Sequence, residues 1–420
     1  MPAATVETGP RRPPGSDRRV VVTGLGVVSS IGIGVAEFRA GLREGRSGAK
    51  PVSGFPTVGY EHDNACEVTD FDPSRYLSNL DPGELGRASQ FSVAAARMAI
   101  DDAGAAGADL GGRRGLIAIG TTNGETRELD RLVEQEVLAG PEARDRSIAG
   151  RTNAGRLSVS VAHELELADI EAVTIPTACA AGNYAIGYAF DAIRSGEVAF
   201  ALCGGADALC RKTFSGFYRL GAMSPDRCQP FDRNRRGMLT GEGAGVLMLE
   251  TVASAQARGA RIHAEILGFG LNCDAAHPVA PDQDSVARCI ELALADADVK
   301  PDQVDFISAH GTATRVNDVV EARAIRQVFG SAPPRTVSMK SMLGHALGAS
   351  SALAAIGCVL AITDGFIPPT INHVETDPEC EIDCVPNTAV AANLRIVQNN
   401  ALAFGGNNAV LILGAYEGDA

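Results

Sequence analysis

The chain has 420 residues, of which 45% are hydrophobic, with 47 glycines and a formal net charge of −14. That length and apolar content predict one large or two fused domains around a substantial buried core. The acidic balance excludes non-specific nucleic-acid binding, which needs clustered Lys and Arg, and it obliges any acidic protein partner to meet a local basic patch.

Residues 1–18 hold Pro13-Pro14, several arginines and no apolar run; without the hydrophobic stretch of a signal peptide they read as a flexible tail. Val20-Val21-Val22-Thr23-Gly24 then opens as a buried strand ending in a glycine turn, and residues 36–44 follow as an amphipathic helix. Further apolar strands are expected at residues 116–120, 172–175, 198–202 and 246–249, several separated by helix-length segments. This rhythm indicates an α/β protein with a central sheet.

A second series of strands is expected at residues 262–267, 306–309, 336–339 and 410–413. Strand, small-residue turn and Ala-rich helix occur at residues 174–193 and recur at 336–362, and Cys203-Gly204-Gly205-Ala206 is echoed by Phe404-Gly405-Gly406-Asn407. The similarity suggests a duplicated fold, with a first half at residues 19–259 and a second at 260–420. The most apolar stretch, residues 351–362, is too short for a membrane span of ~20 helical residues and reads as a core helix.

Ten cysteines with no CxxC pair read as buried thiols of a reducing, cytoplasmic compartment rather than as a disulfide framework. Cys380 and Cys384 come nearest to a metal spacing, but no second Cys or His pair accompanies them, so no metal site is expected. Gly24-Leu25-Gly26 and Gly241-Glu242-Gly243-Ala244-Gly245 lack the dinucleotide-binding spacing and a P-loop lysine, and read as tight turns. Asp284-Ser285-Val286 reads as a capped helix start, not as a carrier attachment site, and His263 and His277 read as structural.

Pro176-Thr177-Ala178-Cys179-Ala180-Ala181-Gly182 sets a cysteine between a strand and an unbroken helical segment. A thiol at a helix N-terminus meets free backbone N–H groups and the helix dipole, which favour thiolate. Alone, such a cysteine is more often a core residue. Two further segments change the balance: His310-Gly311-Thr312-Ala313-Thr314 and Lys340-Ser341-Met342-Leu343-Gly344-His345 each place a histidine near glycine just after a predicted strand, in a chain with seven histidines. If each half turns its strand-to-helix connection toward a shared centre, Cys179 and His345 face one another across a site between the halves.

In this order the three segments resemble the active-site blocks of elongating β-ketoacyl-acyl carrier protein synthases. Gln229-Pro230-Phe231-Asp232, Gly241-Glu242-Gly243-Ala244-Gly245 and Phe404-Gly405-Gly406-Asn407-Asn408 extend the similarity from about Arg19 to the C-terminus. The resemblance implies a thiolase-like α/β fold of two related halves in an α-β-α-β-α arrangement, dimerising through its sheets. It implies Cys179 as the acyl-accepting nucleophile, with His310 and His345 hydrogen-bonding the malonyl thioester carbonyl and stabilising the enolate left by decarboxylation. It further implies that Lys340 organises the site and is held by the Glu321 carboxylate, with Asp318 nearby. The N–H groups of Cys179 and Phe404 would form an oxyanion hole, Phe404 would gate the acyl pocket, and Thr312 and Thr314 would contact the phosphopantetheine arm. No tightly bound cofactor is expected, because the substrates ride on the phosphopantetheine of acyl carrier protein. The expected assembly is a homodimer, or a heterodimer with a chain-length-factor-like subunit.

Three departures tilt the expectation toward a discrete type II polyketide ketosynthase over a fatty-acid enzyme. Arg236-Gly237-Met238 stands where the family commonly has Asp-Gly-Phe, Asn407 where threonine is frequent, and Leu402-Ala403 where a Phe-Gly pair is frequent. Two rivals remain on the sequence. A thiolase acting on acyl-CoA shares the nucleophile but usually has a second cysteine near the C-terminus, where this chain offers Phe404-Gly405-Gly406-Asn407. A chain-length-factor-like subunit generally lacks the nucleophile; its presence here allows the chain to be the active half of such a pair.

Overall fold

A computed structural model describes residues 18–105 and 110–418. The expected tail, residues 1–18, lies outside the described residues apart from Arg18. The main strands are β1 (Val20–Ser29), β2 (Gly115–Gly120), β3 (Ile170–Ile175), β4 (Phe200–Asp207), β5 (Gly243–Thr251), β6 (Ala264–Cys273), β7 (Phe306–Ser308), β8 (Arg335–Val337), β9 (Ile396–Leu402) and β10 (Asn407–Gly414). They join in one mixed sheet in the order β8-β7-β9-β10-β6-β1-β5-β4-β2-β3.

The junction is an antiparallel pairing of β1 with β6, in which Val20, Val21 and Val22 face Ile266, Glu265 and Ala264. Outward from it, each half runs first, fifth, fourth, second and third strand. The directions repeat too: β2 is parallel to β3 and β4, as β7 is to β8 and β9, while β4–β5 and β9–β10 are antiparallel. The duplication expected from the strand-turn-helix echo is thus a repeated topology. The glycine echo is not part of it, since Cys203-Gly204-Gly205-Ala206 lies inside β4 whereas residues 404–406 lie at the turn between β9 and β10 and Asn407 opens β10.

The helices that matter for the site are α1 (Arg87–Asp102), α2 (Ala181–Ser195), α3 (Arg211–Arg219), α4 (Gln283–Ala297), α5 (Arg315–Phe329) and α6 (Ala349–Asp364). Helices α2 and α6 pack on one another and on strands of both halves; α1 covers the outer face of the first half, and α4 backed by α5 covers that of the second. The five layers follow from alternation along buried strands: Leu116 and Ala118 point to the α2/α6 layer, Ile117 and Ile119 to the α1 layer. A strand covered on both faces reads as a continuous apolar run, and a helix wrapped by both halves of the sheet carries small or apolar residues all round, as α6 does, buried at every position from Ala349 to Ala361.

Three local expectations fail for identifiable reasons. β1 does not end at Gly24 but runs on to Ser29, and its glycines serve close packing: a Cβ at Gly24 or Gly26 would lie 2.0 or 1.8 Å from the carbonyl oxygens of Ala99 and Ala95 in α1. Helix α4 is capped by Asp282, which accepts the Ser285 N–H at 2.9 Å, two residues before the predicted cap. β9 carries Gln398-Asn399-Asn400, all buried, and that polar triplet hides the strand from a hydropathy reading. Among the described residues no helix is long and apolar enough to cross a membrane.

Candidate active site

β3 ends at Ile175, one short 3-10 turn spans Ala178–Ala180, and α2 starts at Ala181. Ala178 is forced to φ +49°, a left-handed conformation that a non-glycine residue keeps only where its surroundings over-determine it. That bend sets Cys179, 5% exposed, at the head of α2 between the halves. Burial outweighs the helix terminus: the thiol is pushed up to about 11, against the lowering effects of the Lys340 charge and the backbone N–H groups of Phe404 and Cys179, while Asp207 adds to the rise. The expectation of a resting thiolate is therefore corrected, because desolvation of a charge exceeds what one helix start returns.

His345 follows the short helix Lys340–Leu343 through Gly344, whose φ is +63°. Its Nδ1 accepts the Leu347 N–H at 3.1 Å and lies 3.0 Å from Ser350 Oγ. A nitrogen that accepts a backbone N–H carries no proton, so the ring is the Nε2–H tautomer. His310 lies just beyond β7, and its Nδ1 faces the Lys340 ammonium at 3.4 Å, which assigns the same tautomer. The two rings stand 5.5 Å apart at 82°. Burial first, and the Lys340 charge second, hold both imidazoles well below their ordinary range, so both are neutral donors.

The predicted carboxylate clamp on Lys340 is not what the chain builds. Glu321 Oε1 accepts the His310 N–H and Oε2 the Gly311 N–H, both at 2.8 Å, and Asn400 Nδ2 donates to Oε1 at 3.1 Å. Lys340 Nζ donates to the His310 carbonyl at 2.6 Å instead. Among the described residues no ion pair joins Lys340 to Glu321, although each biases the other's charge through space. Asp318 takes up the next turn, accepting the N–H groups of Phe231 at 2.9 Å and Ala313 at 3.1 Å and facing the buried Arg235. Between Thr312 and Thr314, Ala313 has φ +62°, and the two hydroxyls bond each other at 2.8 Å.

Cys179, His310, His345, Thr312, Thr314 and Phe404 line one cavity of about 530 Å³; Lys340, Glu321 and Asp318 stand behind its wall. Phe404, 40% exposed, packs its ring 5.8 Å from Phe217 on α3, ahead of Gly405 and Gly406 at φ +86° and +85°. His263 and His277 lie outside this lining: His263 Nε2 is 2.9 Å from Asp102 Oδ2, and His277 Nδ1 accepts turn N–H groups. Sequence reasoning missed Phe217, Asp207 and Asn400. The last was traceable, as a polar residue inside the apolar flanks Ile396-Val397 and Ala401-Leu402. At the cavity mouth a second recess of about 470 Å³ gathers Arg227, Arg233, Arg235, Arg236 and Arg315, a basic concentration in an acidic chain.

Comparison with known proteins places most of the chain in one family. Residues 17–255 match the family pattern described as Beta-ketoacyl synthase, N-terminal domain, and residues 263–374 match Beta-ketoacyl synthase, C-terminal domain. The 3-oxoacyl-(acyl-carrier-protein) synthase 2 of Synechocystis sp. is 37% identical over 417 residues, covering 95% of this chain and 99% of that one. Nodulation protein E of Rhizobium sp. is 36% identical, covering 94% and 98%. Among solved structures, the ishigamide ketosynthase/chain length factor superposes with a TM-score of 0.94 at 61% identity over 95% of this chain and 100% of that one. A type II PKS acyl-carrier protein in complex with its ketosynthase bound to the hexaketide gives 0.87 at 32% identity, again over 95% and 100%.

Proposed function

This chain belongs to the β-ketoacyl synthase family, and from that membership we propose that it elongates acyl chains carried on acyl carrier protein by decarboxylative condensation. The observation that carries this reading is the convergence of Cys179 and two neutral Nε2–H imidazoles, His310 and His345, on one cavity.

Each step has a group suited to it. The Cys179 sulfur attacks the incoming thioester carbonyl, its proton leaves with the pantetheine thiol, and the N–H groups of Cys179 and Phe404, which already bear on the sulfur, receive the oxyanion. A malonyl thioester then enters; loss of carbon dioxide leaves an enolate whose oxygen takes hydrogen bonds from His310 and His345. Neutral donors serve here, since the charge they meet appears only along the reaction path. The enolate carbon attacks the acyl-enzyme carbonyl, the C–S bond breaks, and the departing Cys179 thiolate takes a proton from solvent to regenerate the thiol. Lys340 and Glu321 hold the His310 loop from behind, Thr312 and Thr314 face the arm, and Phe404 closes on the acyl chain.

Within the family, the 61% identity to a ketosynthase/chain length factor structure supports a type II polyketide assignment over fatty-acid synthesis. Retention of Cys179 in its strained turn supports the catalytic role in such a pair. The edge strand β3 supports partner addition, being half-buried along its whole length where the other first-half strands are buried. The Arg227–Arg315 recess suits an acidic carrier protein. Ten free cysteines suit the cytoplasm. Two measurements test the reading: intact-mass detection of an acyl group that is lost in Cys179→Ala, and labelled carbon dioxide released from malonyl carrier protein. Absence of both from the chain, alone and with a chain-length-factor partner, overturns it.

A further inference from the structure

Asp207 closes β4 and is fully buried. Some buried carboxylates here face a guanidinium, as Glu242 does Arg87 and Glu250 does Arg258; among the described residues Asp207, like Glu321, has no ion pair, and it is held by four donors instead. Oδ1 accepts from Thr121 Oγ1 at 2.8 Å and the Asn123 N–H at 2.9 Å. Oδ2 accepts the N–H groups of Thr122 and Gly348, both at 2.7 Å. Burial raises the carboxyl to about 6 even against the lowering effect of these four donors.

Gly348 is the link that matters. It follows His345 in the second half as the N-cap of α6, and its carbonyl accepts the Gly182 N–H at 3.1 Å, in the first turn of the helix that Cys179 heads. There is no slack around that peptide: a Cβ at Gly205 would sit 2.4 Å from the Gly348 carbonyl oxygen, and one at Gly348 would sit 2.6 Å from Thr121 Cα. A first-half carboxylate therefore grips the N–H of the second-half residue Gly348, whose carbonyl in turn grips the nucleophile's helix.

We propose that Asp207 is a positioning residue for carbon–carbon bond formation, fixing through the Gly348 peptide the spacing between the Cys179 turn and the His345 turn. The inference rests on the condensing function proposed above. Acyl loading uses Cys179 with the N–H groups of Cys179 and Phe404, and decarboxylation uses the imidazoles and the Lys340–Glu321 support behind them; neither step depends on the distance between the two turns. The coupling step needs the acyl carbonyl and the enolate carbon within ~3.5 Å of one another, and so depends on the distance between halves.

The test is Asp207→Asn in the full-length protein, with its partner subunit where one is required. An asparagine puts an NH2 group against one of the two donor pairs and loosens the grip without changing size. Acyl loading of Cys179 and carbon dioxide release should each stay within about threefold of wild type while condensation falls ~100-fold. Condensation within threefold of wild type, or a parallel fall in all three rates, overturns the proposal. If Asp207→Asn does not fold, Thr121→Val removes one donor without added bulk and should show the same split at about fivefold; parallel loss or no loss there is equally fatal. Wild-type protein that neither loads Cys179 nor releases carbon dioxide refutes the condensing function itself and is distinguished by the same assays.

Discussion

Lys340 and His310 meet at two points: Nζ donates to the His310 carbonyl oxygen at 2.6 Å and stands 3.4 Å from Nδ1 of the same residue. One contact fixes the backbone that carries the imidazole and the other fixes its tautomer. The ammonium also opposes protonation of both catalytic imidazoles. Lys340→Met should lower carbon dioxide release from malonyl carrier protein by ~100-fold, as for loss of a preorganised electrostatic group. The residual rate should show its acid limb at higher pH than wild type does, because the Lys340 charge, the second cause after burial that holds His310 down, is gone. A limb unmoved in the variant speaks against this role.

Cys179 is the second quantity to measure. With its thiol near 11, the thiolate fraction at neutral pH is very small and grows with pH. The second-order rate of iodoacetamide alkylation should therefore rise ~tenfold per pH unit between 7 and 10. A plateau by pH 8 means that the site holds a resting thiolate, and that burial is weaker than the structure makes it.

The same burial links stability to alkaline pH. Cys66, Cys289 and Cys358 are all pushed up to about 12 by desolvation. Their folded pKa values lie above the unfolded ones, so between roughly pH 9 and pH 12 the native state binds more protons than the unfolded state and stability falls as pH rises. Melting temperature should drop through this window. Cys358→Ala should reduce the slope of the decline even though its cavity lowers stability at pH 7.

The site's chemistry was legible because its residues sit in contiguous segments: Cys179 before a helix, His310 and His345 beside glycines that bend the chain after a strand. The contacts between segments were not. Glu321 and Lys340 are a plausible ion pair on a sequence, but the carboxylate faces two backbone N–H groups in its own half-turn of space, and no local pattern announces that geometry. Asp207 was invisible for the same reason, since its partners come from residues 121–123 and 348. The thiol's electrostatics were misread because a helix terminus can be seen in sequence whereas the depth of burial is decided by both halves closing. The alternation of strands and helices was readable as a rhythm, and the polar triplet of β9 broke the rhythm where Asn400 reaches Glu321.

Glu321 makes that last contact testable. Its two oxygens accept three N–H donors. In Glu321→Gln one oxygen becomes a donor facing another donor, leaving a buried N–H unsatisfied at about 1–3 kcal/mol. The variant should melt lower and release carbon dioxide more slowly, with acyl loading of Cys179 retained, because the His310 loop is disturbed and the α2 turn is not. Equal loss of loading and decarboxylation would assign Glu321 to general stability instead.

Arg236 and Arg315 line both the catalytic cavity and the arginine recess at its mouth. Arg315 is exposed at the start of α5, and Arg236, 61% exposed in its side chain, reaches Asp226 at 3.3 Å across solvent. Exposed charges of this kind add little to folding stability but steer an oppositely charged partner over a Debye length. Arg236→Glu combined with Arg315→Glu should raise KM for the acidic carrier protein by ~10-fold, mostly through slower association, and flatten its dependence on salt. Melting temperature should hardly move, and turnover with a small acyl-pantetheine thioester should change far less than turnover with the carrier. If the small thioester suffers equally, the two arginines act inside the cavity and the carrier docks elsewhere.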